Sequence, residues 1–209
     1  MGRATGRTAV RAATADDLQA MARLHRAAYS RDHFLALLPE AVLADYYGRF
    51  LDVESRLAVH SGGPNGLQAE ELLGFAVFGR DIESRIAAFK RDRRRSIAAV
   101  ALRHPFLAAR KALIAGRQQR EASSHAPAAA LLLSIAVREK GKGVGELLLR
   151  DMLDRSTAAG EARIGLYVRH QNVRAINAYL RMGFTIVTSI TDQYYMERML
   201  NSDPHTRDV

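Results

Sequence analysis

Residues 131–145 read LLLSIAVREKGKGVG, and three textures meet within them. Leu131 to Val137 is an uncharged apolar run of strand length. Arg138-Glu139-Lys140-Gly141-Lys142-Gly143-Val144-Gly145 is a basic turn punctuated by glycine. From there Val144, Leu147, Leu148 and Met152 fall on one helical face. A strand that feeds a glycine turn and then a helix makes an anion site. Glycine lets the backbone approach closely, and the free N–H groups and dipole of the first helical turn point at whatever sits there. Arg138, Lys140 and Lys142 add positive charge. The stretch reads as a binding site for a phosphorylated cofactor.

Glycine spacing narrows the choice. A dinucleotide fingerprint, G-x-G-x-x-G, would need its third glycine where Glu146 or Leu148 stands. A nucleoside-triphosphate loop needs a Gly-Lys pair followed by Ser or Thr, and the loop has none. What remains is Arg138-x-x-Gly141-x-Gly143 between strand and helix. The helix from Val144 stops at Gly160, and Ile164 to Val168 is the next strand, which makes a β-α-β unit with parallel strands. There follows LYVRHQNVRAINAYLRMGF, in which Asn172 caps a helix over 173–182 and Gly183 ends it. Arg138-x-x-Gly141-x-Gly143 resembles the Q/R-x-x-G-x-G/A pyrophosphate loop of the GNAT superfamily of N-acetyltransferases. Leu166-x-Val168, Asn172, Ala175, Tyr179 and Gly183-Phe184 match a second signature of the same family at the right distance. The resemblance is specific from Leu131 to Val187 and general over Thr8 to Phe78.

The resemblance implies an α/β (α+β) fold: a mixed, mostly antiparallel sheet with a central splayed parallel strand pair and flanking helices. It implies acetyl-CoA as co-substrate, no metal, and transfer of the acetyl group to a primary amine, an amino sugar being one candidate. Ile135, Ala136 and Val137 would offer backbone bonds to pantetheine. The N–H groups of Lys140, Gly141, Lys142, Gly143, Val144 and Gly145 would carry the pyrophosphate, with Arg138 nearby. Asn172 would bond to pantetheine or hold the strand–helix corner. Tyr179 would protonate the departing thiolate, since an ordinary tyrosine pKa of about 10 keeps its proton at neutral pH. Tyr29, Arg31, Asp32, His33 and Phe34 lie where the family builds its acceptor pocket. Glu70, Glu71, Asp81 and His125 are the candidates for a base, none of them ranked first. Two other classes stand beside this reading. A dinucleotide-binding protein would need further β-α-β units, which the antiparallel first half does not offer. An acetyltransferase-like binding protein would use its basic segment to dock an anionic membrane or nucleic acid.

The rest of the chain fits one domain over 1–209. Thr8 to Ala12 is a strand, and Thr14 starts a helix carrying Leu18, Met21, Ala22, Leu24, His25 and Ala28. A second helix follows Pro39 through Val42, Leu43, Tyr46, Tyr47 and Phe50. Arg56–His60 and Leu72–Phe78 pair antiparallel across a Gly-rich turn, and Thr185–Val187 and Gln193–Met199 close the sheet. Residues 201–209 read as a disordered tail. Residues 83–126 form a basic helical insertion that Pro105 divides into two helices. Over 85–120 eleven Lys and Arg face one Asp, a net of +10, so a chain of net charge +9 carries −1 elsewhere. The insertion is expected to be a lid or a dimerisation arm, apolar side inward and basic side outward. A membrane surface or nucleic acid is the less favoured partner. There is no cysteine, so neither disulfides nor thiolate ligands arise. No apolar run approaches the roughly 20 residues of a membrane span, and Met1 to Arg11 lacks a signal-like apolar core. A soluble cytoplasmic protein is expected.

Overall fold

A computed structural model of the chain describes residues 7–29, 33–61, 70–121 and 126–200. The expected tail, the Gly62–Gly66 turn, Arg31, Asp32 and His125 lie outside the described residues. The strands are β1 (Arg7–Ala12), β2 (Glu54–Ser61), β3 (Glu71–Gly79), β4 (Ala130–Val137), β5 (Arg163–Arg169), β6 (Thr185–Ile190) and β7 (Gln193–Met199). They form one sheet in the order β1-β2-β3-β4-β5-β7-β6. Every neighbouring pair is antiparallel except β4–β5, which is parallel. The mixed, mostly antiparallel sheet is as expected. β6 runs to Ile190, beyond the expected Val187, because the hairpin resumes pairing after a register shift at Val187 and continues to Ile190↔Gln193.

Helices cover both faces. On one side α1 (Leu18–Ala28) and α2 (Glu40–Gly48) bury Met21, Leu43 and Tyr47 against Leu57, Phe75 and Val77. On the other α6 (Val144–Ala158) and α7 (Val173–Arg181) bury Leu148, Met152 and Ile176 against Ala76, Ile164, Leu166 and Met196. A strand covered on both faces has no reason to alternate polar and apolar residues, which is why β3 and β4 read as continuous apolar runs.

One irregularity in β4 decides the geometry of the centre. Val77 pairs with Ser134, but the next pair is Phe78 with Leu132, so Leu133 is a bulged extra residue. The bulge reverses which residues face which layer. Leu131 and Leu133 face the α1–α2 layer, and beyond the bulge so do Ser134 and Ala136, while Ile135 and Val137 turn to the α6–α7 layer. At the same point β4 parts from β5. Their pairing consists of Ala130↔Ile164, Leu131↔Gly165 and Leu132↔Leu166, and then stops.

The basic segment forms three helices rather than two: α3 (Ile82–Asp92), α4 (Arg94–Arg103) and α5 (Pro105–Glu121). Pro105 separates the last two as expected, and Arg93, at φ −103° and ψ 19°, breaks the helix once more. Ile82, Phe89 and Val100 are buried, and the Arg49 guanidinium lies over the Phe89 ring. Ion pairs of Arg93 with Asp45, Arg49 with Asp92 and Arg85 with Asp52 fasten α3 to α2 and the turn after it. The large apolar residues of α3 thus turn inward, as do Ile97 and Val100 of α4, but Leu102 faces outward and those of α5 turn inward only in part. Leu107 and Ile114 are half-buried, whereas Phe106 and Leu113 face outward.

Candidate active site

Beyond Leu132 the β5-facing edge of β4 has no strand beside it. The Arg138 N–H donates to the Leu73 carbonyl at 2.8 Å, so residues 138, 136 and 134 turn their backbone groups toward β3. By alternation Ile135 and Val137 present theirs to the gap, whereas the N–H and C=O of Ala136 belong to the β3 ladder. Backbone donors and acceptors in the middle of a sheet require partners. The gap is therefore shaped for an extended molecule with amide groups of its own.

At the mouth of the gap lies the glycine loop. Gly141 and Gly143 have φ of +87° and +79°, in the left-handed region where a side chain is strained. Gly143 precedes α6, whose first helical bond runs from Leu147 N–H to the Gly143 carbonyl. The N–H groups of Val144, Gly145 and Glu146 thus have no partner within the helix. The space where a Gly143 Cβ would stand is open for 4 Å. Lys140 and Lys142 are exposed on the loop, while Arg138 forms an ion pair with Glu71. Arg174, in the first turn of α7, reaches across so that its guanidinium is 3.1 Å from the Cβ position of Gly141. The sequence reading missed Arg174; its place two residues after a helix cap, where side chains point back over the preceding loop, was the available signal.

Asn172 holds the corner. Its side chain accepts from the Ala175 N–H at 3.4 Å, capping α7. Tyr179 is buried between the helix and the sheet, its ring 5.8 Å from that of Phe184. Burial, and secondarily the nearby Tyr29, pushes its pKa above the ordinary tyrosine value.

On the opposite face of β4 runs a buried polar chain. His25 Nδ1 is 2.5 Å from the Tyr47 hydroxyl, which is 3.1 Å from Ser134 Oγ. Ser134 is 3.1 Å from the Tyr29 hydroxyl, which donates to the Ile135 carbonyl at 3.2 Å. Counting protons fixes every direction. A carbonyl only accepts, so Tyr29 gives its single proton to Ile135, and Ser134 must then donate to Tyr29. Tyr47 must in turn donate to Ser134, and His25 Nδ1 must carry the proton donated to Tyr47. His25 is thus the Nδ1–H tautomer, with a buried Nε2 lone pair that meets no partner among the described residues. Burial, followed by repulsion from His33, draws the His25 pKa down to about 3. The His25 and Tyr29 rings stack at 4.2 Å, and the Tyr29 and His33 rings lie 4.6 Å apart.

Sequence reasoning placed His25 and Tyr47 as core positions and Tyr29 only as a neighbour. The i, i+4 spacing of His25 and Tyr29 on one helix was the signal that two rings would meet. The expected bases fare differently. Glu71 is paired with Arg138 and Glu70 with Arg11. Asp81 follows the end of β3 that pairs with Leu131, at the other end of β4 from the gap. An open groove of about 650 Å³ lined by Arg150, Arg181, Thr185 and Arg198 lies by the C-terminus of α7 and shares no residue with the gap.

The family model for the acetyltransferase (GNAT) family matches residues 18–184. The chain belongs to this family of acetyltransferases. No curated protein sequence matches it. Among solved structures it is similar to the ribosomal-protein-S18-alanine N-acetyltransferase of Escherichia coli, at 16% identity and TM-score 0.55, over 97% of this chain and 100% of that one. It is also similar to yncA of Salmonella typhimurium with its cofactor acetyl-CoA, at 16% identity and TM-score 0.56, over 94% and 96%. A third is the paia N-acetyltransferase of Thermoplasma acidophilum in complex with coenzyme A, at 15% identity and TM-score 0.56, over 92% and 99%. These likenesses are of fold. Among the described residues no helix is long and apolar enough to cross a membrane.

Proposed function

We propose that this GNAT acetyltransferase moves the acetyl group of acetyl-CoA directly onto the primary amine of a small-molecule acceptor. The observation that carries the reading is the edge of β4 that has no strand beside it, running from the bulge to an anion-binding helix N-terminus. Pantetheine amides would bond to the Ile135 and Val137 backbone. The N–H groups of Val144, Gly145 and Glu146, with Lys140, Lys142 and Arg174, would hold the pyrophosphate. The amine nitrogen attacks the thioester carbonyl, the carbon–sulfur bond breaks, Tyr179 gives its proton to the leaving sulfur, and the proton the nitrogen sheds on becoming an amide passes through water to restore Tyr179. A raised pKa suits Tyr179 to this work, because its hydroxyl stays protonated across the neutral range.

The same logic removes the tyrosines as bases. Burial also raises Tyr29 and Tyr47, and His25 has surrendered its basicity to burial. The acceptor ammonium therefore loses its proton to water at the open mouth of the gap. The half-buried rings of Tyr29 and His33, 4.6 Å apart, favour a compact acceptor with an apolar or ring-shaped body. Thiol release from acetyl-CoA with a panel of amino sugars, arylalkylamines and peptide N-termini tests the reading. We expect turnover with one of the small amines, and a fall in turnover of roughly 10- to 10⁴-fold in Tyr179→Phe with coenzyme A affinity little changed. Full turnover in Tyr179→Phe would assign the acid to water. Failure of the protein to bind acetyl-CoA would refute the assignment.

A further inference from the structure

The basic segment leaves the sheet far from the gap. α3 follows Gly79, which pairs with Leu131 at the opposite end of β4 from the glycine loop. Its root is fixed on α2, but its outer part presents an unusual surface. Leu102 is 82% exposed, Phe106 91% and Leu113 61%. On α5 the exposed residues Phe106, Ala109, Arg110 and Leu113 follow helical spacing along one face, while Leu107, Ala108 and Ile114 are half-buried on the other. A helix apolar on both faces has an inner partner and lacks an outer one. On the same two helices Arg94, Arg95, Arg103 and Arg110 are all exposed. From Arg93 to Arg120 the sequence contains no acidic residue.

Charge selects among the occupants. A second copy docking symmetrically would set these arginines against their own counterparts, with no carboxylate between Arg93 and Arg120 to separate them. Nucleic acid would satisfy the arginines but would leave Leu102 and Leu113 in water, and among the described residues there only Phe106 and His104 offer exposed rings to stack on a base. An anionic bilayer satisfies both features at once, taking apolar side chains below the headgroups and guanidinium groups onto the phosphates. We propose that α4 and α5 form a docking element for anionic membrane surface, anchored by Leu102, Phe106 and Leu113. The element lies flat in the headgroup layer and does not span it. The gap sits at the other end of the sheet, so this inference stands independently of the catalytic reading.

The test is co-sedimentation of the full chain with vesicles of phosphatidylcholine, with and without about one-third phosphatidylglycerol. We expect binding to the anionic vesicles alone, reduced at least about tenfold when salt rises from roughly 0.1 to 0.5 M. Phe106→Ser with Leu113→Ser should abolish it, and Arg94→Glu with Arg103→Glu and Arg110→Glu should do the same. All five positions are exposed, and unchanged acetyl-CoA binding in both variants confirms that they fold. No binding at low salt, or equal binding of both variants and parent, overturns the proposal. So does a dimer in analytical ultracentrifugation that the double serine variant splits, or salt-sensitive capture of RNA that the same variant retains.

Discussion

His25 shows how much one buried side chain carries. Nearly all of it is inaccessible, and its pKa of about 3 lies well below the ordinary histidine value of about 6.5. Between those values the unfolded chain binds a proton that the folded chain refuses. The stability due to His25 is therefore complete above about pH 6.5 and is lost as pH falls toward 3. From about pH 7.5 to pH 5 the loss should be about 2 kcal/mol. Asp17, held down to about 2 by its hydrogen bond with Arg11, also favours the folded state, but its contribution fades only below about pH 4. The two windows are separate. His25→Asn keeps an N–H for Tyr47 and removes the titration, so its urea midpoint should fall less than the parent's between those two pH values. Equal slopes for parent and variant would mean that His25 does not carry the acid sensitivity. The sequence showed a histidine on an apolar helix face, and the spacing to Tyr29 was visible. The proton directions were not, because they depend on Ser134 and the Ile135 carbonyl, more than one hundred residues away.

At the scale of elements, local features were legible and long-range ones were not. The glycine loop and the cap at Asn172 are written in consecutive residues, and the structure places Gly143 and Asn172 immediately before α6 and α7. The bulge at Leu133 is silent in LLLSIAV, since a strand buried on both faces gives no alternation for a register change to interrupt. The same silence hid the short β4–β5 pairing. α5 shows a third kind of limit, for periodicity reveals an apolar stripe but not whether anything covers it. Glycine offers a clean test of the loop. Gly143 and Gly160 lie at opposite ends of α6, at φ +79° and +74°, and neither has a neighbour within 4 Å of its Cβ position. Valine at either site carries a similar backbone penalty, about 1–2 kcal/mol. Only Gly143→Val should also fill the space assigned to phosphate. We expect similar loss of thermal stability in the two variants and at least a tenfold rise in the acetyl-CoA dissociation constant in Gly143→Val alone. Equal affinities in the two variants would move the pyrophosphate away from this loop.

The whole molecule is a sheet cut nearly in two. β1 to β4 form one half and β5, β7 and β6 the other, and the halves share three residue pairs at one end of the β4–β5 seam. The layers of helices do not close the seam evenly, because α6 packs on β1 to β4 while α7 follows β5. An extended ligand in the gap would act as the missing strand and tie the halves together. At one hundred times its dissociation constant, coenzyme A should stabilise the fold by about 2.7 kcal/mol. For a chain of this size that corresponds to a rise in melting temperature of about 5–10 °C. Stabilisation alone would follow from binding anywhere, so the discriminating measurement is amide hydrogen exchange. The Ile135 and Val137 N–H groups face the gap and should exchange quickly in the free protein and slowly with coenzyme A. The Ala136 N–H, already in the β3 ladder, should change little. Protection confined to residues 140–147, with Ile135 and Val137 unaffected, would show that the phosphate end binds while the pantetheine arm lies outside the seam.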